Sequence, residues 1–137
     1  MTIHFEIPGA PVVWKRARRR GSQYFTDPKQ ADYQKAAAWA AKAGGAKVVH
    51  GPLCVAITFD MPMPSKVTGK KARAALEGTP AYSDRKDIDN LGKCILDALN
   101  GVAYVDDRQV CTLALAKRWS IKPRAFVTIT PISEVTA

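Results

Sequence analysis

The chain has 137 residues, 47% hydrophobic and 24% charged, a composition ordinary for one soluble globular domain with one buried core. Its 21 Lys and Arg against 12 Asp and Glu leave a formal net charge of +9, which favours nucleic acid or another polyanion as partner but says nothing by itself about catalysis. No apolar run approaches the roughly 18 residues of a membrane span and the N-terminus lacks the organisation of a signal peptide, so no membrane role is expected and the cytoplasm is the expected compartment.

Residues 2–7 alternate, with Ile3, Phe5 and Ile7 on one face, and predict a half-buried strand ended by Pro8 and Gly9. Lys15, Arg16, Arg18, Arg19 and Arg20 follow, then Gly21, Ser22 and the aromatics Tyr24 and Phe25. A charge run of this kind is ordinarily a solvated loop; the adjacent aromatics make a phosphate-contacting arm the rival reading. Asp27 as N-cap, Pro28 at the first helical position and Gln30 three past the cap open a helix that runs to Ala43 and stops at Gly44 and Gly45. Trp39 is expected to anchor that helix in the core, with base stacking as the alternative.

Residues 53–59 read as a second strand, broken by Met61, Pro62, Met63 and Pro64. Residues 66–76 form a short basic helix candidate carrying Lys66, Lys70, Lys71 and Arg73. Residues 110–119 predict a third strand, and after a turn at Lys122 and Pro123, residues 125–129 complete an expected antiparallel hairpin. Cys54, Cys94 and Cys111 lack any C-x-x-C spacing and read as buried free thiols in a reducing compartment; no zinc site is expected. The expected fold is a single α+β domain over residues 1–137, with a mixed sheet of about four strands packed with about three helices.

The chemistry concentrates between Asp84 and Asp107. Asp87 and Asp89 are two residues apart and cannot converge inside one helix, because positions i and i+2 lie roughly 200° apart around the axis. They can converge if Asp87 is extended and the helix begins after Asp89, with Asp89 as N-cap and Asn100 and Gly101 as the stop. Lys93 then falls one turn beyond Asp89 on the same side, and the acidic pair Asp106 and Asp107 can return to the same mouth. Acids clustered in a basic chain suggest Mg²⁺, which takes hard oxygen ligands from one or two carboxylates, water and phosphate. The ion would supply an activated nucleophile and stabilise charge at a scissile phosphate drawn to the helix N-terminus. Each residue also has a plainer reading: Asp87 paired with Arg85 or Lys86, Asp89 as a cap only, and Lys93 absorbed by Asp97.

The run from Asp87 through Asp89, Asn90, Leu91 and Lys93, continuing to Tyr104, Asp106, Asp107, Gln109 and Val110, resembles the RusA family of Holliday junction resolvases. The stretch from Pro11 to Arg20 with Tyr24, the segment from Met61 to Pro64, and Lys117 with Pro123 and Arg124 resemble it too, so the likeness covers nearly the whole chain. It implies a RusA-like fold and a homodimeric, Mg²⁺-dependent endonuclease, with Mn²⁺ as a substitute, that resolves four-way DNA junctions by paired nicks in recombination and repair. By position it implies Asp87, Asp89 and Asp107 as metal-binding catalytic carboxylates, Lys93 as the catalytic lysine and Asp106 as a lesser metal ligand. Lys15, Arg16, Arg18, Arg19, Arg20, Lys70, Lys71 and Arg73 are the expected DNA contacts. A nuclease for other branched DNA, such as flaps or forks, and a non-catalytic basic nucleic-acid-binding protein are the alternatives.

Overall fold

The first strand, β1 (Ile3–Pro8), buries Phe5 and Ile7 and exposes His4 and Glu6, as its alternation dictates. The computed structural model describes residues 1–63, 69–70, 73–74 and 85–135. Within them the basic run is only partly the expected loop: Lys15 and Arg16 are irregular, and the second half is a strand. Arg18–Arg20 (β2) pairs with Gln23–Phe25 (β3) as a two-stranded antiparallel ribbon whose six residues are all exposed.

Helix α1 (Pro28–Ala43) starts where expected, with the Asp27 carboxylate accepting from Lys29 N–H. Gln30 does not close a capping box. Its side chain is buried and accepts from the Lys15 N–H at 2.8 Å, tying the ribbon's root to the helix. Trp39 is the larger correction: it is 74% exposed. The face of α1 that meets the core carries Tyr33, Ala37 and Ala41, and a residue two positions from both alanines points the other way. The helix ends at Gly44, where a Cβ would stand 2.9 Å from the Phe5 Cβ, so glycine permits the close approach of α1 to β1.

Strand β4 (Leu53–Pro62) runs past the expected break. Pro62 pairs with Ser120 at the strand's last position, and β6 has already left the ladder at Asp60, so the missing proline N–H costs nothing there. Of the expected basic helix at 66–76, Lys66 and Lys71 lie outside the described residues, as does Pro64; Lys70 and Arg73 are helical and exposed.

Helix α2 (Ile88–Ala98) follows, then a 3₁₀ turn at Asp107–Gln109, β5 (Val110–Ser120), β6 (Arg124–Pro131) and the short α3 (Ile132–Val135). Among the described residues the main sheet has four strands in the order β1-β6-β4-β5. β5 and β6 are not a hairpin. β5 runs parallel to β4 and β6 runs antiparallel to β4 on its other side. The helical crossover through α2 makes β5 parallel to β4, and the link 121–123 then crosses two strand spacings, about 10 Å, to reach the place between β4 and β1.

One sheet face carries Phe5, Ile7, Val55, Ile57, Phe59, Val127 and Ile129 and packs under α1 and α2. On the opposite face Asp60 is 2% exposed and held between Arg118 and Arg124, its cross-strand neighbours, with Glu6 extending the chain of charges. The cysteines divide. Cys94 is buried, and burial pushes its thiol up to about 12; Cys54 is half-buried; Cys111, expected inside, is exposed on the edge strand β5. Among the described residues no helix is long and apolar enough to cross a membrane.

Candidate active site

Local chain geometry separates Asp87 from Asp89 by one conformational step. Asp87 is the N-cap of α2, with extended backbone (φ −66°, ψ 129°), and its carbonyl accepts from Leu91 N–H at 3.0 Å. The helix thus begins two residues earlier than a cap at Asp89 requires, and Asp89 lies inside the first turn. Asp87 makes no side-chain capping bond, and both carboxylates are exposed at the positive end of the helix. The preceding residue is pinned from two directions: Lys117 Nζ, at the far end of β5, donates to the Lys86 carbonyl at 2.7 Å, and Lys86 Nζ donates to the Pro11 carbonyl at 3.2 Å.

The amphipathic register of α2 decides what else is presented. Leu91, Cys94, Ile95 and Leu99 are fully buried, while Asp89, Lys93 and Asp97 stand one turn apart along the exposed side. Gly92 lies on the side of α2 that faces β5, where a Cβ would come 2.7 Å from Leu115 Cδ1 and force that side chain to shift. Asp97 accepts from Gln34 Nε2 at 3.5 Å, and Lys93 instead lies over the Trp14 ring, its Nζ 4.3 Å from the centroid.

The second acidic pair stands at the other end of the helix. Tyr104 is buried there and its hydroxyl donates to the Leu96 carbonyl at 2.5 Å. Asn100 Oδ1 accepts from Asp107 N–H at 2.8 Å. Gln109 Oε1 accepts from the Val105 and Asp106 N–H groups, and its Nε2 donates to the Val49 and Gly51 carbonyls, fastening the acidic turn to the entry of β4. Asp106 is engaged locally: its carboxylate accepts from Arg108 N–H, which lowers its pKa, and pairs with the Arg108 guanidinium at 3.2 Å. Asp107 shifts the other way. Desolvation raises its pKa, its hydrogen bond and charge repulsion with Asp106 and the field of Asp97 raise it further, and Lys93 opposes them.

Lys93 thus stands between two acidic pairs, with about 14 Å of helix rise between Asp89 and Ala98. Among the described residues no three Asp, Glu, His or Cys side chains group closely enough to hold a metal ion by themselves. The structure therefore places Asp87 and Asp89 at one end of α2 and hydrogen-bonds Asp107 to Asp106 at the other, and among the described residues it does not group these acids in one coordination sphere. The donors still suit Mg²⁺, which needs one or two carboxylates when phosphate and water supply the rest. Mutual repulsion around Asp107 is a charge imbalance that a cation would relieve.

Of the expected DNA contacts, Lys15, Arg16, Arg18, Arg19 and Arg20 are exposed on and before the ribbon, with Tyr24 67% exposed beside them. Lys15 pairs with Asp27 at 3.7 Å and Arg19 Nε donates to the Gly21 carbonyl, so these two are partly committed within the arm. Trp14, Asn100 and Gln109 had no role in the sequence reading beyond the helix stop and the family pattern. Trp14 meets its partners on α2, beyond the reach of local spacing, whereas the Asp106-x-x-Gln109 spacing of a capping box was a local signal for Gln109.

Residues 8–130 match the family model described as Endodeoxyribonuclease RusA. YqaN of Bacillus subtilis (strain 168), itself described as an uncharacterized protein, is 33% identical over 138 residues, covering 96% of this chain and 97% of that one. The chain therefore belongs to the RusA endodeoxyribonuclease family.

Proposed function

We propose that the protein is a homodimeric, Mg²⁺-dependent nuclease that resolves four-way DNA junctions by paired nicks. One observation carries the reading: α2 presents Asp87 and Asp89 at its N-terminus and Lys93 one turn on, on the exposed side of a strongly basic fold. A non-catalytic binding protein has no use for exposed acids at such a place, since they repel phosphate.

Asp87 and Asp89 would hold the ion, with Asp107 and then Asp106 as the further carboxylates of the site. When bound, Mg²⁺ (or Mn²⁺) supplies charge neutralisation at the scissile phosphate and lowers the pKa of the attacking water. The N-terminus of α2 adds its partial positive charge at the same place. Lys93 offers an ammonium to the phosphoryl oxygens as negative charge builds there. Asn100 and Gln109 fix the acidic turn through its backbone N–H groups, so Asp107 stays presented in spite of its neighbours. Arg16, Arg18, Arg19, Arg20 and Lys15, with Lys70, Lys71 and Arg73, would hold the junction arms by their phosphates and set position rather than sequence. A two-fold dimer matches the pseudo-two-fold symmetry of a four-way junction and places two sites for two cuts.

Asp89→Asn should abolish cleavage while junction affinity is kept, and Lys93→Ala should reduce turnover far more than affinity. Binding lost in step with cleavage in both variants would make these residues structural and remove the assignment.

A further inference from the structure

We propose that Trp14 is a positioning residue for Lys93, an inference that rests on the nuclease reading above and names how its lysine is held. Two contacts bracket the pair. The Trp14 N–H donates to the Asn90 carbonyl at 2.9 Å, and the Trp14 ring lies under the Lys93 ammonium at 4.3 Å from its centroid, inside the roughly 6 Å range of a cation–π contact. Backbone and ring of one residue thus grip α2 at two positions less than one turn apart.

Trp14 is itself fixed. Its ring is half-buried against the core, and the next residue donates its N–H to the buried Gln30 side chain on α1. An exposed lysine on a helix otherwise samples many rotamers, and here Asp89 and Asp97, one turn to either side, compete for it. An ion pair with either would neutralise the ammonium and occupy a carboxylate. The indole face attracts the ammonium with no negative charge of its own, so Lys93 is held in place while its full charge remains for phosphate. Trp14 also immediately precedes the basic arm, so the arm and the lysine share one anchor on α2.

The test combines a contact readout with kinetics. With lysines carrying ¹³C-dimethyl labels, the Lys93 resonance, assigned by its loss in Lys93→Arg, should be shifted upfield by the indole ring and return to the ordinary lysine position in Trp14→Leu. On a four-way junction Trp14→Leu should lower kcat by about 2- to 5-fold, the range a cation–π contact supports, with affinity kept. Trp14→Tyr, which retains an aromatic face, should recover most of that loss. In a Lys93→Met background Trp14→Leu should cost nothing further, because the two residues act through one contact. An unshifted lysine resonance, an equal loss in the Lys93→Met background, or a loss of affinity matching the loss of turnover would each overturn the proposal. A parent protein with the shifted resonance but no cleavage of any branched DNA would overturn the nuclease reading and the positioning role with it, while leaving the contact itself in place.

Discussion

Asp107 carries the electrostatic tension of the site. Its carboxyl is desolvated, hydrogen-bonded to Asp106 and repelled by Asp97, so its pKa in the folded protein is raised above the ordinary 3.8. Below that value folded and unfolded chains are both protonated and the residue is neutral toward stability. As pH rises through the raised pKa, the folded state binds the extra proton that the unfolded chain has already lost, and stability falls. Asp107→Asn should therefore raise Tm at neutral pH in metal-free buffer, and the gain should vanish as pH drops below about 3.8. Mg²⁺ should stabilise the parent more than the variant. A variant less stable than the parent at neutral pH, measured by thermal unfolding across that pH range, would show the carboxylate to be structural. At this scale spacing gave the placement of Lys93 one turn beyond Asp89 on the same exposed side of α2. It hid Trp14, the bonds from Gln109 to Val49 and Gly51, and the pinning of Lys86 by Lys117, because each depends on a partner brought in from another element.

The basic ribbon is the element with the most separable role. Arg18 and Arg20 project from a short exposed hairpin, and the tie from Lys15 N–H to Gln30 fixes only its root. Replacing both with Gln should weaken junction binding and lower the slope of log affinity against log salt by about 1.8, since each phosphate contact contributes about 0.9. Unchanged slopes would remove the ribbon from the DNA interface. The elements show where sequence patterns suffice. Alternation located β1 and β4, and Asp27 and Gly44 bounded α1, because those signals are local. The β5–β6 pairing was misread for the same reason: two alternating runs around a short turn look like a hairpin whether or not a third strand lies between them. Trp39 was misplaced because an alanine-rich helix has several faces of similar hydrophobicity, and the sheet chose the one with Tyr33 and Ala37.

For the whole molecule, the parallel β4–β5 pair with its helical crossover puts the two acidic pairs at the two ends of α2. The acids at one end follow β4 in the chain, those at the other lead into β5, and Lys93 stands between. The chain is net positive overall, and Asp87, Asp89 and Asp97 stand exposed at the start and along the side of one helix. Such a surface should steer branched DNA to α2, with metal required for cutting but not for binding. The most direct measurement is cleavage of an end-labelled four-way junction with Mg²⁺, run beside a flap, a fork and a linear duplex and mapped on all four strands. Paired nicks at symmetric positions on opposed strands, with little cutting of the other substrates, are the predicted result. Tight binding without nicks under Mg²⁺ or Mn²⁺, or cutting of flaps in preference to the junction, would contradict it.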